Sequence, residues 1–101
     1  MTYTLRFLPE VEEDLIGGYV WYEVKSAGVG EEFLRMFYAG ANEILRNPML
    51  CQKVYGEFRR RLLRRFPYAI YFTVEGDQII VVGVFHCARD PRTVKLELRD
   101  R

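Results

Sequence analysis

The sequence has few of the features that signal a cofactor, a metal centre or a membrane. Its only cysteines, Cys51 and Cys87, do not stand in a metal-ligand spacing, which predicts two reduced thiols in a cytosolic protein. No G-x-G-x-x-G or P-loop pattern occurs, and no apolar run approaches the ~18–20 residues of a membrane span. The opening MTYTLRFLPE lacks the regions of a signal peptide. We therefore expect a cytoplasmic protein without cofactor, metal or membrane contact.

Charge is distributed unevenly along the 101 residues. Residues 1–50 contain four Lys or Arg and eight Asp or Glu, a net charge of −4, whereas residues 51–101 contain eleven and six, a net charge of +5. Five arginines occupy seven positions: Arg59, Arg60, Arg61, Arg64 and Arg65. This cationic half favours an anionic partner, such as nucleic acid, a phosphate group or an acidic protein segment. The alternative is a charged edge strand that resists aggregation.

Half of the residues are apolar, enough for the core of one domain, and their spacing predicts the order of the elements. Thr2–Leu8 alternates like a half-buried strand. Pro9 then begins a helix that ends at Gly28, and a second helix runs from about Gly30 to Arg46. The two helices form an αα-hairpin whose combined apolar faces need a sheet to cover them.

The second half of the chain has the composition of a sheet. Three strands are expected over about Tyr55–Arg65, Tyr68–Val74 and Ile79–Phe85, and the last is apolar on both faces, so it should lie inside the sheet. The tail is ambiguous, because Pro91 can begin a helix but Val94–Leu98 alternates like a strand. The expected fold class is α+β in one domain over residues 1–101. It comprises an N-terminal strand, the αα-hairpin and a mainly antiparallel three-strand meander in one twisted sheet.

One interpretation of the polar residues is acid–base cleavage of a phosphodiester. Attack by a 2′-oxygen needs a base, an acid and cations around the phosphate, and Glu57, His86 and the arginines from 59 to 65 could supply them. Glu57 could equally be a surface ion pair and His86 a structural residue. A Cys/His nucleophile pair is disfavoured, because the neighbouring side chains of His86 and Cys87 point to opposite faces of an extended segment. The spacing of His86, Asp90 and Glu57 matches no familiar metal site.

Binding without chemistry is the other interpretation, because arginine forks bind phosphate and carboxylate equally well. The candidate phosphate- or partner-binding residues are Arg59, Arg61, Arg64, Arg65, Arg89 and Arg92. Tyr55, Tyr68 and Tyr71 could stack on bases, although aromatic residues on strands that face a helical hairpin usually belong to the core.

Two blocks of the sequence carry a resemblance to a known family. In Arg61–Phe72 an arginine-rich strand precedes F-P-Y, and Val81–Pro91 has the pattern V-x-x-x-F-H-x-x-R-D-P. With the order of strand, αα-hairpin and antiparallel strands, these blocks resemble the RelE/ParE superfamily of bacterial toxins. The resemblance implies the toxin of a type II toxin–antitoxin system, also known from plasmid stabilisation. Such a toxin is held inactive by a cognate antitoxin, whose tail would contact the arginine patch, and it reaches operator DNA only through that antitoxin.

The superfamily combines two activities with one fold, so the fold cannot choose between them. ParE-like members poison DNA gyrase, and the H-x-x-R-D-P ending with no clear acid–base set resembles them more. RelE-like members cleave mRNA on the ribosome, and His86, Glu57 and Arg65 would then be the catalytic candidates. A toxin-like fold that only binds its partner is the third interpretation.

Overall fold

A five-stranded sheet with helices on both faces forms the fold in the computed structural model, which describes residues 2–101. The helices are α1 (Pro9–Lys25), α2 (Val29–Arg46) and α3 (Pro91–Asp100), and the strands are β1 (Thr4–Phe7), β2 (Lys53–Tyr55), β3 (Phe58–Leu62), β4 (Tyr68–Glu75) and β5 (Gln78–His86). The strand order is β1-β5-β4-β3-β2, with β1 parallel to β5 and the other pairs antiparallel. This architecture confirms the predicted α+β class, and β5 lies inside the sheet as expected.

The helical hairpin follows its predicted boundaries closely. Pro9 occupies the first turn of α1, and Gly28 adopts a left-handed φ of 91° between the helices. Gly18 is buried in the middle of α1, where an added Cβ would lie 2.5 Å from the ring of Phe33 on α2. The glycine is therefore needed for the close approach of the two helices, despite its low helix propensity.

Two separate cores hold the helices on the sheet. The hairpin of α1 and α2 covers one face, where Phe33 and Phe37 pack with Phe72 of β4. On the opposite face, Val94 and Leu98 of α3 pack with sheet residues that include Tyr71 and Phe85. Burial of each such side chain contributes ~1.5–3 kcal/mol. Both faces of the sheet are thus covered, which explains why β4 and β5 are apolar on both sides.

The structure resolves the ambiguity of the tail and differs from the expectation for the arginine-rich strand. The tail is a helix, because Val94 and Leu98, four residues apart, fall on one helical face over the second core, and Asp90 accepts a hydrogen bond from the first turn. The strand expected over Tyr55–Arg65 is instead a hairpin of β2 and β3, turned at Gly56 with a left-handed φ of 53°. The antiparallel meander therefore has four strands rather than three.

An ion pair completes the outer edge of β5 where β1 has ended. Val82 has no partner on β4, owing to a bulge, and its carbonyl accepts a hydrogen bond from Arg101 at 3.0 Å. The N–H of Val84 donates to Asp14 of α1 at 3.0 Å, and Arg101 and Asp14 bind each other through two bonds of 2.6 and 3.0 Å. The pair satisfies backbone groups that a longer β1 would have bound, and it links α1 to the end of α3.

Candidate functional site

The arginines of β3 do not form one patch, because the alternation of the strand sends them to opposite faces. Arg59 and Arg61 lie opposite β4 residues of the core under the helical hairpin, whereas Arg60 lies opposite Tyr71 on the face of α3. Arg59 donates a hydrogen bond to the carbonyl of Cys51. The predicted cationic cluster is therefore divided by the sheet.

The arginines on the hairpin side are held by carboxylates of α2. Arg61 forms an ion pair with Glu43, and Arg64 reaches the same carboxylate at 3.4 Å. Arg65 pairs with Glu32 at 2.9 Å. These contacts fasten β3 and the loop after it to α2, so much of the predicted binding capacity is used within the molecule. The role of these arginines in binding phosphate stays a prediction.

The three candidate catalytic residues are not assembled into one site. Glu57 lies in the turn between β2 and β3, where a hydrogen bond and the charge of Lys53, 2.8 Å away, lower its pKa. His86 pairs with Tyr68 at the other end of the sheet. Because Arg59 pairs with Phe72, Glu57 lies level with Val74, six positions along β4 from Tyr68. At the rise of a strand, this places Glu57 and His86 about 20 Å apart along the sheet. Glu57 and His86 therefore cannot act on the same phosphodiester in this conformation.

His86 has local partners that give it a structural role. Its Nδ1 accepts a hydrogen bond of 2.9 Å from the N–H of Ala88, in the turn after β5. Its ring packs edge-on against Tyr68, with centroids 5.1 Å apart. Arg65 is engaged with α2, as described above, so no contact joins it to His86 among the described residues.

The two candidate arginines around α3 have different environments. Arg89 is bound to Glu97 at 2.6 Å and lies over the ring of Phe85, 4.8 Å from its centroid. Its hydrogen bond to Glu97 is the main cause that lowers the pKa of that carboxyl group. Arg92 is almost fully exposed and only loosely paired with Asp90, at 3.4 Å. Arg89 therefore anchors α3, whereas Arg92 is accessible to a ligand.

A cleft that the sequence analysis missed lies between α3 and the β2–β3 hairpin. It has a volume of about 290 Å³ and is lined by Tyr55 and Phe58 on the sheet and by Lys95 and Arg99 on α3. The positions 92, 95 and 99 share one flank of the helix, a spacing that is visible in the sequence once the tail is known to be helical. The ambiguity of the tail concealed this signal.

The outward face of α1 is apolar and uncovered. Ile16, Val20, Trp21 and Val24 are 54, 50, 57 and 81% exposed, opposite the side that carries Leu15 and packs on the core. The solvent-facing side of a surface helix is normally occupied by polar and charged residues. In the described part of the chain no element covers this stripe, so it is a candidate protein-binding surface.

Two kinds of feature are absent from residues 2–101. Within that range no three His, Cys, Asp or Glu side chains come together in a way that could hold a metal ion. None of the helices there combines the length and the apolar character that a bilayer crossing requires.

Comparison with known proteins identifies the family. Residues 5–91 match the family model described as the ParE toxin of the type II toxin–antitoxin system, parDE. The chain belongs to the ParE toxin family. A chain in a solved structure titled as the chromosomal ParDE TA system from P. aeruginosa has a similar fold, with a TM-score of 0.72 and 18% sequence identity, over 84% of this chain and 96% of that chain. No curated protein matches the sequence.

The family match ends where α3 begins. In this ParE-family chain Lys95, Arg99 and Arg101 lie beyond the matched residues, so the match does not describe the α3 side of the cleft or the Arg101 partner of Asp14. The confirmed parts of the expectation are the ParE-like family and its fold.

Proposed function

We propose that this ParE-family protein inhibits growth in the cytoplasm by poisoning DNA gyrase, and that a cognate antitoxin neutralises it by covering the outward face of α1. The observation that carries the second part is the exposed stripe of Ile16, Val20, Trp21 and Val24. A small protein that exposes such a stripe gains stability and solubility when a partner covers it.

The chemistry of the stripe indicates the chemistry of its partner. Glu12 and Glu13 lie exposed beside its N-terminal end, Lys25 lies over the ring of Trp21 at its C-terminal end, and the first half of the chain has a net charge of −4. An amphipathic helix with an apolar face and basic flanks would complement this surface. The sequence-based expectation placed the antitoxin on the arginine patch, but three of those arginines are paired with Glu32 and Glu43.

A pair of variants tests where the antitoxin binds. Val20→Glu places a charge in the middle of the stripe without entering the core, so the toxin should stay folded and toxic but lose neutralisation by co-expressed antitoxin. Leu62→Glu is the matched control, because Leu62 is similarly exposed, at 56%, on the arginine-rich strand. If the antitoxin still neutralises the Val20 variant but not the Leu62 variant, the antitoxin binds at the arginine-rich strand instead.

Gyrase is favoured over ribosomal mRNA as the target because the acid–base set is not assembled. Glu57 and His86 lie about 20 Å apart along the sheet. We therefore expect Glu57→Gln and His86→Asn to remain toxic, the second because asparagine keeps an acceptor near the position of Nδ1. Growth after induction of each variant is the measurement, with circular dichroism as the check on folding. Loss of toxicity in both folded variants would favour the endoribonuclease.

A further inference from the structure

We infer that the cleft between α3 and the β2–β3 hairpin binds a single strand of nucleic acid. The backbone would follow the basic flank of α3, and an unpaired base would contact the aromatic side formed by Tyr55 and Phe58. This inference goes beyond the proposed target and stands without it, since DNA opened by gyrase and mRNA on the ribosome both present unpaired bases.

The cations of the cleft are distinguished by what they do not bind. Most arginines of this chain are held by carboxylates, but among the ion pairs of residues 2–101 none includes Lys95 or Arg99, which line the cleft, or Arg60, which lies near it on β3. All three side chains are exposed. Lys95 and Arg99 therefore retain the capacity to neutralise phosphates, the interaction that dominates affinity for nucleic acids.

The charges of α3 are sorted by flank. Lys95 and Arg99 lie one helical turn apart and face the cleft, and Arg92 continues the same line. Glu97 lies on the other side of the helix, where it binds Arg89 and Arg101. The row of three cations thus presents a positive edge about 10 Å long at the rise of a helix. That length matches a backbone rather than a single phosphate.

The aromatic side of the cleft distinguishes nucleic acid from an acidic peptide. Tyr55 is half-buried and stacks on Tyr71, with centroids 6.3 Å apart and planes at 16°, so its ring is held in a fixed orientation. Phe58 lies beside it, also half-buried. Cationic grooves with aromatic platforms bind single strands with little sequence preference. Duplex DNA fits less well, because its bases are stacked on one another and cannot reach the platform.

The one carboxylate in the cleft does not cancel the positive charge of its lysine and arginine side chains. Glu57 lies on the hairpin, and its charge is offset by Lys53 at 2.8 Å. With Arg60, two residues along β3 from Phe58, the surroundings of the cleft keep a positive balance.

Fluorescence anisotropy of the full chain with labelled oligothymidylate and oligouridylate of about 12 nucleotides tests the inference. Binding should weaken between about 50 and 200 mM salt, with a log–log slope near −2 for three phosphate contacts. Lys95→Gln/Arg99→Gln should bind roughly tenfold more weakly, with the slope reduced by about 1.4. Arg35→Gln/Arg46→Gln removes the same charge from exposed positions on α2 and should change the affinity less than about twofold.

Tyr55→Leu separates stacking from charge. It should weaken binding by roughly tenfold and leave the salt slope unchanged, because it removes a platform and no cation. A thermal melt of each variant shows whether it is folded, and the glutamine variants change exposed side chains only, so the test does not depend on the tyrosine variant.

Three results would overturn the inference. They are no binding by the wild-type chain at the lowest salt, an equal loss in the α2 control, and displacement of the oligonucleotide by polyglutamate as effectively as by unlabelled strand. The last would assign the cleft to an acidic protein segment. Binding of both polymers, or of one, supports the inference, and the preferred polymer identifies its source in the cell. Toxicity is measured separately, so failure here leaves the proposed gyrase target intact.

Discussion

Removal of the Asp14 carboxylate should be among the most destabilising single changes in this toxin. Asp14 accepts hydrogen bonds from the N–H of Val84 and from the two terminal nitrogens, Nη1 and Nη2, of Arg101, and its side chain is 12% exposed against 13% for Arg101. Asp14→Ala would leave that N–H without its acceptor and a largely buried guanidinium without its main partner. Hydrogen bonds from Arg101 to the carbonyl of Val82 at 3.0 Å and to Glu97 at 3.4 Å would remain.

The expected loss is about 3 kcal/mol, at the low end of the 3–5 kcal/mol for breaking a buried pair, because Arg101 keeps weaker partners. The total stability of such a domain is ~5–15 kcal/mol, so the loss is a large fraction of it. At ~4–8 °C per kcal/mol, the melting temperature should fall by about 15 °C. Asp14→Asn keeps a hydrogen-bond acceptor but loses the charge, so its melting temperature should lie between those of the alanine variant and the wild type.

Glu13→Ala provides the matched control one position earlier in α1. Glu13 is exposed and makes no ion pair in residues 2–101, so its removal should change the stability by less than ~0.5 kcal/mol. Urea and thermal unfolding followed by circular dichroism measure both variants. A difference below ~1 kcal/mol in unfolding free energy between the two alanine variants would refute the role assigned to the Asp14–Arg101 pair, because the backbone groups at the edge of β5 would then be satisfied without it.

Further predictions concern the glycines, the thiols and the acid limb of stability. Gly18→Ala should lower the melting temperature, since its Cβ would lie 2.5 Å from a buried ring. Gly17→Ala has open space around the new Cβ and should raise the free energy of unfolding by up to ~1 kcal/mol. A Gly18 variant more stable than the Gly17 variant would contradict the packing of the two helices. A thiol reagent should label Cys87 rapidly and Cys51 only on unfolding, because burial raises the pKa of Cys51; two fast thiols would contradict this. The hydrogen bond from Arg89 lowers the pKa of Glu97 in the folded protein. The contribution of Glu97 to stability is therefore present above the unfolded-state pKa of about 4.3 and is lost as the pH falls through the lower folded-state pKa. The stability difference between wild type and Glu97→Gln should therefore shrink in acid, and a difference that grows would contradict the pairing.

The helical hairpin was predictable because its signals are local. Pro9 fixes the start of α1, Gly28 supplies the left-handed turn, and the apolar periodicity fixes the buried faces. The tail was not predictable, because five residues such as Val94–Leu98 satisfy both a period of two and an i, i+4 pair. The choice of helix depends on the second core, which exists only when the sheet is assembled.

The division of the arginines could not be predicted from their clustering in the sequence. Their partners Glu32 and Glu43 come from α2, more than fifteen residues away, and the register of β3 and the course of the loop after it decide which arginine meets them. The same limit applies to Asp14, whose main partner, Arg101, lies 87 residues further along the chain. A sequence pattern predicts which face of a helix or strand is buried. The partner of a charged side chain depends on contacts between residues that are far apart in the sequence.

Induction of the toxin in bacteria without its antitoxin tests the proposed target most directly, when gyrase-linked DNA breaks and the 5′ ends of translating mRNA are measured in the same cultures. If gyrase is the target, we predict DNA breaks and a DNA-damage response with intact mRNA, in the wild type and in the Glu57→Gln and His86→Asn variants alike. New mRNA ends within codons, with intact DNA, would contradict it and would identify a ribosome-dependent nuclease.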